Sequence, residues 1–263
     1  MNKVLTPYKS HGEILAIKNL AIFFGEKVVL ENFSLKLEAK KITALVGESG
    51  SGKSSVALAI LGLLRSSKIN GEILFEGKDL LKLSEKEFCK IRGRDIGFIF
   101  QDPQTSLNPL HKIGAQISEA ITIHNPKKKK KDLKYRILEL LEMVDLKGFA
   151  ARLNDYPHQF SGGQKQRIMI AIALANNPKI LIADEPTTAL DSKTQDEILE
   201  LLFRLKNEFG VAILLITHNL RVIKKIADEV IEIKSKRQKD SGETEISRRK
   251  ILADDLKNIL EVL

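Results

Sequence analysis

A lysine and a hydroxyl close a glycine-rich stretch, Gly47-Glu48-Ser49-Gly50-Ser51-Gly52-Lys53-Ser54. The spacing is G-x-x-x-x-G-K-[ST], set between a strand-like and a helix-like apolar segment, which is the context a phosphate-binding loop requires. Glycines permit positive φ, so successive N–H groups converge into an anion nest, and the following helix adds its positive end. Lys53 offers a point charge to the β- and γ-phosphates of a nucleotide, and Ser54 a hydroxyl to Mg2+. Four fixed positions match by accident in roughly 1 in 100 chains of this length, and the flanking elements make accident rarer. A second constellation fits the first: the apolar run Ile180–Ala183 ends in Asp184 and Glu185. In phosphoryl-transfer sites a first carboxylate holds Mg2+ through its shell, and a neighbour can accept a proton from the attacking water. Taken alone, two acids at a strand end are ordinary solvated residues; beside the loop they read as a site.

The elements that must position these groups follow from hydrophobic pattern. Glu13–Phe24 and Val28–Leu37 read as β-rich stretches joined by a turn at Gly25-Glu26-Lys27, and Lys41–Val46 as a buried strand. Ser54–Leu64 reads as an apolar helix. Glu72–Phe75 and Ile96–Phe100 read as strands separated by a charged helical segment. From Asp102 to about Asn177 the chain is rich in loops and helices, with no convincing strand. Strands return at Ile180–Ala183 and Ala212–Ile216, with a helix over Lys193–Asn207 between them, which is the βαβ sign of an α/β sheet. An all-helical insert therefore interrupts an α/β core.

Composition bounds what this core can be. The chain has 263 residues, 43% of them apolar, one Cys and no Trp, enough for one large domain or two subdomains sharing a core. Cys89 has no internal partner, so a reducing compartment fits. The longest apolar runs, Val56–Leu64 and Val211–Ile216, fall far short of the ~20 residues of a membrane span. The opening residues lack a signal-peptide stretch, so a cytoplasmic protein is expected. The net charge of +9 is concentrated partly in the lysine run 127–131 and in the basic stretch 234–239. Both read as solvated loops with some attraction to an anionic membrane surface. With no interleaved aromatics to stack on bases, nucleic-acid binding is not expected.

Between loop and carboxylates stands Phe160-Ser161-Gly162-Gly163-Gln164, with Arg167 three residues on and Ser161 lying 23 residues before Asp184. This resembles the signature of ATP-binding cassette (ABC) ATPases, and the other cassette motifs follow in order. Gln101 stands where the family has its Q-loop, Ala189-Leu190-Asp191 its D-loop, and His218 its switch histidine. Phe24 resembles the aromatic that stacks on adenine, with core packing by Phe23 or Phe24 as the alternative. The resemblance runs from about residue 13 to 233. It implies an α/β P-loop ABC ATPase domain with a RecA-like core, a small antiparallel β subdomain and an inserted α-helical subdomain. The ATP-binding domain would span 1–235, its helical subdomain about 102–177, and a short tail 236–263. It also implies ATP and Mg2+ as cofactors, with Gly47–Ser54, Ser55 and Phe24 around the nucleotide and Ser54, Gln101 and Asp184 at the metal. Glu185, His218, Gln101 and Lys53 would carry catalysis. Ser161, Gly162, Gly163, Gln164 and Asp191 would close over the ATP of a second cassette.

A finer resemblance lies in Ile99–Leu110, in Tyr156–Phe160 and in Asp184–Asp191, which are similar to the peptide/nickel (dipeptide–oligopeptide) importer ATPases. It implies pairing with a second ABC ATPase subunit, usually as a heterodimer with a homodimer as the alternative. It further implies two transmembrane permease subunits, an extracytoplasmic solute-binding protein, and a location on the cytoplasmic face of the cell membrane. The C-terminal stretch departs from the pattern: Lys236 stands near an expected Gly, and Gln238-Lys239 replace apolar residues before Ser241-Gly242. A DNA-associated ABC ATPase is the rival reading; it would need a long coiled-coil insert, whereas this insert is short with broken heptads. An importer of another solute is the milder alternative.

Overall fold

The computed structural model describes residues 12–64 and 68–233, and the backbone of 251–252. The chain opens with β1 (Glu13–Phe24), β2 (Lys27–Glu38) and β3 (Ile42–Gly47), followed by helix α1 (Lys53–Ile60). Next come β4 (Lys68–Phe75), β5 (Lys78–Asp79), the short helix α2 (Glu85–Phe88) and β6 (Ile96–Ile99). Four helices follow without a strand: α3 (Pro103–Ser106), α4 (Ile113–Thr122), α5 (Lys130–Met143) and α6 (Gly162–Ala173). The core resumes with β7 (Ile180–Asp184), α7 (Ser192–Phe209), β8 (Ala212–Ile216), α8 (Leu220–Ile226) and β9 (Glu229–Ile233), and β10 (Ile251–Leu252) comes last.

These strands build two sheets. One is antiparallel, in the order β2-β1-β4-β5; the other runs β10-β9-β3-β8-β7-β6. In the second, β9, β3, β8, β7 and β6 are mutually parallel and β10 is antiparallel to β9. All five residues of β8 are buried, because a parallel strand covered on both faces must be apolar throughout. Alternate side chains divide between two cores: Ile213 and Leu215 face the helical block and α7, while Leu214 and Ile216 face α1 and the antiparallel sheet. The parallel sheet is thus the middle layer. Helix α7 packs on it through Ile198, Leu201, Leu202 and Leu205, the i, i+3, i+4, i+7 stripe of an amphipathic helix. Lys206, buried on this helix, is paired with both oxygens of Asp228, whose Oδ2 also accepts from Ile42 N–H at 2.7 Å. The buried charge is compensated, as it has to be. Among the described residues no helix is long and apolar enough to cross a membrane.

Several boundaries differ from the sequence reading. The helix expected over Ser54–Leu64 stops at Ile60. Gly62 sits at φ 62°, its N–H donating to the Ala59 carbonyl and the Leu63 N–H to that of Leu58. That is a Schellman cap, in which glycine takes the left-handed position and ends the helix despite an apolar sequence beyond. Residue Lys27, assigned to the turn, belongs to β2, and β4 begins four residues before Glu72. The charged segment after β4 is a two-residue strand, a 3-10 turn and the single turn α2 rather than one helix. Helix α7 extends past both ends of Lys193–Asn207, because Asp191 caps its start and Gly210 (φ 72°) closes its end. The lysine run 127–131 is not all loop, since Lys130 and Lys131 open α5. The basic stretch 234–239 and the departures at Lys236, Gln238, Lys239, Ser241 and Gly242 lie outside the described residues.

Candidate functional site

The site forms where the parallel strands end. Strands β3, β6, β7 and β8 deliver, at their carboxyl ends, the Gly47–Gly52 loop, Gln101, Asp184–Glu185 and His218, the edge at which open α/β sheets bind ligands. A cleft of about 490 Å3 is lined by Val29, Gly47, Glu48, Ser49, Gly50, Gly52, Lys53, Ser54, Ser55, Gln101, Asp184, Glu185 and His218. Twelve of these thirteen were expected from the sequence; Val29 was not. It lies on β2, beside buried Leu30 in an alternating strand, and nothing local marks it as facing a site.

The loop is built for an anion. Gly47, Gly50 and Gly52 all have positive φ, which turns successive N–H groups the same way. Gly52 caps α1 without a side-chain bond, so the first-turn amides of that helix remain donors. Ser51 lies under the loop rather than on the cleft wall, 4% exposed, and its Oγ is one of two buried side-chain polar atoms without a partner among the described residues. Lys53 Nζ donates to the carbonyls of Gly47 at 2.8 Å and Glu48 at 2.7 Å. Burial holds its ammonium below the ordinary lysine range, opposed by the charges of Glu185 and Asp184. Burial likewise pushes the Asp184 carboxyl up; Glu185 adds to this, while the Ser54 hydroxyl bonded to Asp184 and the charge of Lys53 oppose it.

Glu185 is held more tightly than any sequence motif indicates. Its backbone is left-handed, φ 49°, a conformation costing a non-glycine residue about 1–2 kcal/mol. Its N–H donates to the Ile216 carbonyl at 2.9 Å, and its own carbonyl accepts from Thr188 N–H. His218 Nδ1 lies 2.6 Å from Oε1, and Thr188 Oγ1 donates to Oε2 at 2.9 Å. His218 and Glu185, both named above for catalysis, meet directly; Thr188 is an addition. Its signal was the stretch Asp184–Asp191, which carried no role for that threonine.

The structure does not bring the remaining candidates into this cleft. Ser161 caps α6: its Oγ accepts from Gln164 N–H at 3.3 Å, and Gln164 Oε1 accepts from Ser161 N–H at 3.0 Å. Gly162 lies near Leu190, and a methyl on Gly163 would come within 2.5 Å of Thr194 Cγ2. Thr194 is in turn bonded to Asp191 through both N–H and hydroxyl, which holds the Asp191 carboxyl below its usual range. The Ser161–Gln164 turn and the Ala189–Asp191 turn therefore lie side by side, outside the lining of the cleft of their own chain. Arg152 fixes the approach to it, donating to the Gln159 carbonyl at 2.9 Å and lying 4.2 Å over the Phe160 ring. Phe24, at the end of β1, is 38% exposed and outside the cleft lining, whereas Phe23 is half-buried.

This geometry is matched by known proteins. The family model described as ABC transporter matches residues 30–188. The oligopeptide transport ATP-binding protein OppD of Bacillus subtilis is 49% identical over 82% of this chain and 62% of its own length. AppD of the same organism, also an oligopeptide transport ATP-binding protein, is 46% identical over 83% of this chain and 68% of its own. The peptidoglycan transport ATP-binding protein YejF of Agrobacterium fabrum is 48% identical, but the match spans only 41% of that protein. The chain thus spans less than two thirds of the length of OppD and YejF. Among solved structures, the dimeric bacterial ABC transporter cassette MJ0796 superposes with a TM-score of 0.73 at 34% identity, covering 84% of this chain and 94% of that one. The order of motifs, the two-sheet architecture and these likenesses agree: the chain has the ABC ATPase cassette fold and belongs to the ABC transporter family.

Proposed function

We propose that the chain is the ATP-hydrolysing subunit of an ABC importer, coupling binding and hydrolysis of Mg-ATP to uptake of peptides, with nickel as the alternative solute. The observation that carries this reading is the Glu185 carboxylate, gripped by His218 and Thr188 in a cleft shared with Lys53, Ser54, Asp184 and Gln101. The loop amides and Lys53 take up phosphate charge, Lys53 exchanging its bonds to the Gly47 and Glu48 carbonyls for phosphate oxygens. Ser54 Oγ, the Asp184 carboxylate and the Gln101 amide are hard oxygen donors, too few for a complete cage, which suits Mg2+ with phosphate and water in its shell. Mg2+ held by these groups would supply positive charge to neutralise the phosphates. Glu185 accepts a proton from the attacking water, and His218 orients Glu185 and meets the γ-phosphate.

Ser161, Gly162, Gly163, Gln164 and Asp191 complete the site of a second cassette, and Phe24 stacks on adenine. The cassette pair works beneath two permease subunits that receive solute from an extracytoplasmic binding protein, peripheral to the cytoplasmic face of the cell membrane. The domain would run from 1 to 235, with a helical subdomain over about 102–177 and a tail of 236–263. The names of OppD and AppD support peptide as solute, and the ADP- and phosphate-bound dimer of MJ0796 supports hydrolysis in a pair. Against the DNA-associated reading, the longest helix between β6 and β7 is α5, with 14 residues, which is no coiled-coil arm.

The test is Glu185→Gln in cells lacking redundant ATPases, following uptake of a labelled dipeptide and of radiolabelled nickel. Hydrolysis should fall by about 10²–10⁴-fold while ATP binding persists. Loss of dipeptide uptake alone supports the peptide assignment, and loss of nickel uptake alone moves it to nickel. Survival of both overturns the importer reading for these solutes.

A further inference from the structure

We propose that the connection between α4 and α5 is a docking surface for an anionic phospholipid bilayer, built from the lysine run 127–131 with Lys134, Ile123 and Tyr135. Residues 123–135 carry six lysines against one aspartate, more than half of the net +9 of the whole chain. Lys127, Lys129, Lys130, Lys131 and Lys134 are exposed and Lys128 is half-exposed. The lysine ion pairs among the described residues all lie at other positions. The run does not serve the helix it opens, because positive charge is disfavoured at a helix start.

Two apolar side chains accompany the charge. Ile123 is 70% and Tyr135 61% exposed, and Lys131 Nζ lies 5.9 Å from the Tyr135 ring centroid. The base of the connection is anchored: His124 Nε2 contacts the Arg92 carbonyl at 2.8 Å, and Asn125 Nδ2 donates to the Ile121 carbonyl and to Asn176. His124 is half-buried, and the side chains of His124 and Asn125 are tied back to their neighbours, so Ile123 and the lysines stand outward from an anchored turn. Clustered lysines with an aliphatic and a tyrosine fit the headgroup layer, where ammonium groups meet phosphates and the amphipathic ring sits between. Nucleic acid would take the same charge, but a single tyrosine and no arginine offer little to stack on bases. None of these residues lines the nucleotide cleft, so the inference stands apart from the proposed activity.

The experiment is co-sedimentation of the full chain with phosphatidylcholine vesicles containing either no or roughly 30% phosphatidylglycerol, at about 0.1 M and about 0.5 M salt. Binding should require phosphatidylglycerol and weaken with salt. The combined variant Lys127→Gln, Lys129→Gln, Lys130→Gln, Lys131→Gln should bind on the order of 1,000-fold more weakly. Ile123→Ser should weaken the binding that survives high salt. All these positions are exposed, so thermal unfolding and vesicle-free ATP hydrolysis should match the wild type and report separately on fold and site. Equal binding by the four-lysine variant would overturn the proposal, as would indifference of the wild type to phosphatidylglycerol. An oligonucleotide that binds the wild type more tightly than the vesicles, with the same lysine dependence, would overturn it in favour of nucleic acid.

Discussion

At the scale of residues, the cleft depends on how few groups restrain Glu185. With His218 on Oε1 and Thr188 on Oε2, the carboxylate has little rotational freedom, and its left-handed backbone is tolerated because three elements hold it. Thr188→Val keeps the volume and removes the hydroxyl. The expected result is a several-fold lower kcat for ATP with KM unchanged, restored by Thr188→Ser; an equal loss in both variants would make Thr188 a packing residue only. Asp184 supplies a pH prediction. Burial raises its folded pKa above the ordinary 3.8, so between those values the folded state binds more protons than the unfolded state, and stability falls as pH rises. Asp184→Asn should therefore unfold at a higher temperature than the wild type at neutral pH, by about 2–4 °C for each kcal/mol relieved. That advantage should vanish below about pH 4, while hydrolysis is lost. Calorimetry across pH checks both signs.

At the scale of elements, α6 matters because its first turn presents Ser161, Gly162 and Gly163. It is fixed at both ends. Arg152 holds the approach, and buried Arg136 donates to the carbonyls of Leu174 and Ala175 just past the last turn and to Asn177. Glycine at 163 is needed for closeness to α7, since its φ is not in the positive range and alanine would suit the helix better. Gly163→Ala should lower both stability and hydrolysis, because the new methyl meets Thr194 Cγ2. Thr194→Ser removes that methyl and keeps the hydroxyl bond to Asp191, so the double variant should recover most of the loss. Melting temperatures of the four proteins in this cycle decide it; additive losses would mean that the close approach is not the cause.

At the scale of the whole molecule, Ser161–Gln164 do not line the cleft of their own chain, and on the proposed reading a second chain completes the site. Lys53→Ala and Ser161→Arg should each abolish hydrolysis when purified alone. Mixed in equal amounts, half of the dimers pair unlike variants and hold one intact composite site of two, so roughly a quarter of wild-type activity should return. Failure to recover any activity would mean that the chain does not pair with itself and needs a different partner.

The sequence by itself determined the loop, the two carboxylates and the βαβ order, while Gln101 and His218 were marked only by the family resemblance. Phosphate chemistry demands particular residue types at short fixed spacings, and buried parallel strands must be continuously apolar. Gly62 was in plain view, yet the end of α1 was not legible, because apolar periodicity continued through the cap. What tertiary structure decided are the meetings of residues far apart in the chain: Val29 at the cleft, His218 on Glu185, Gly163 against Thr194, His124 and Asn176 beneath the lysine turn. Side-chain closeness across strands and helices leaves no periodic trace in sequence, since packing selects it only after the layers have assembled.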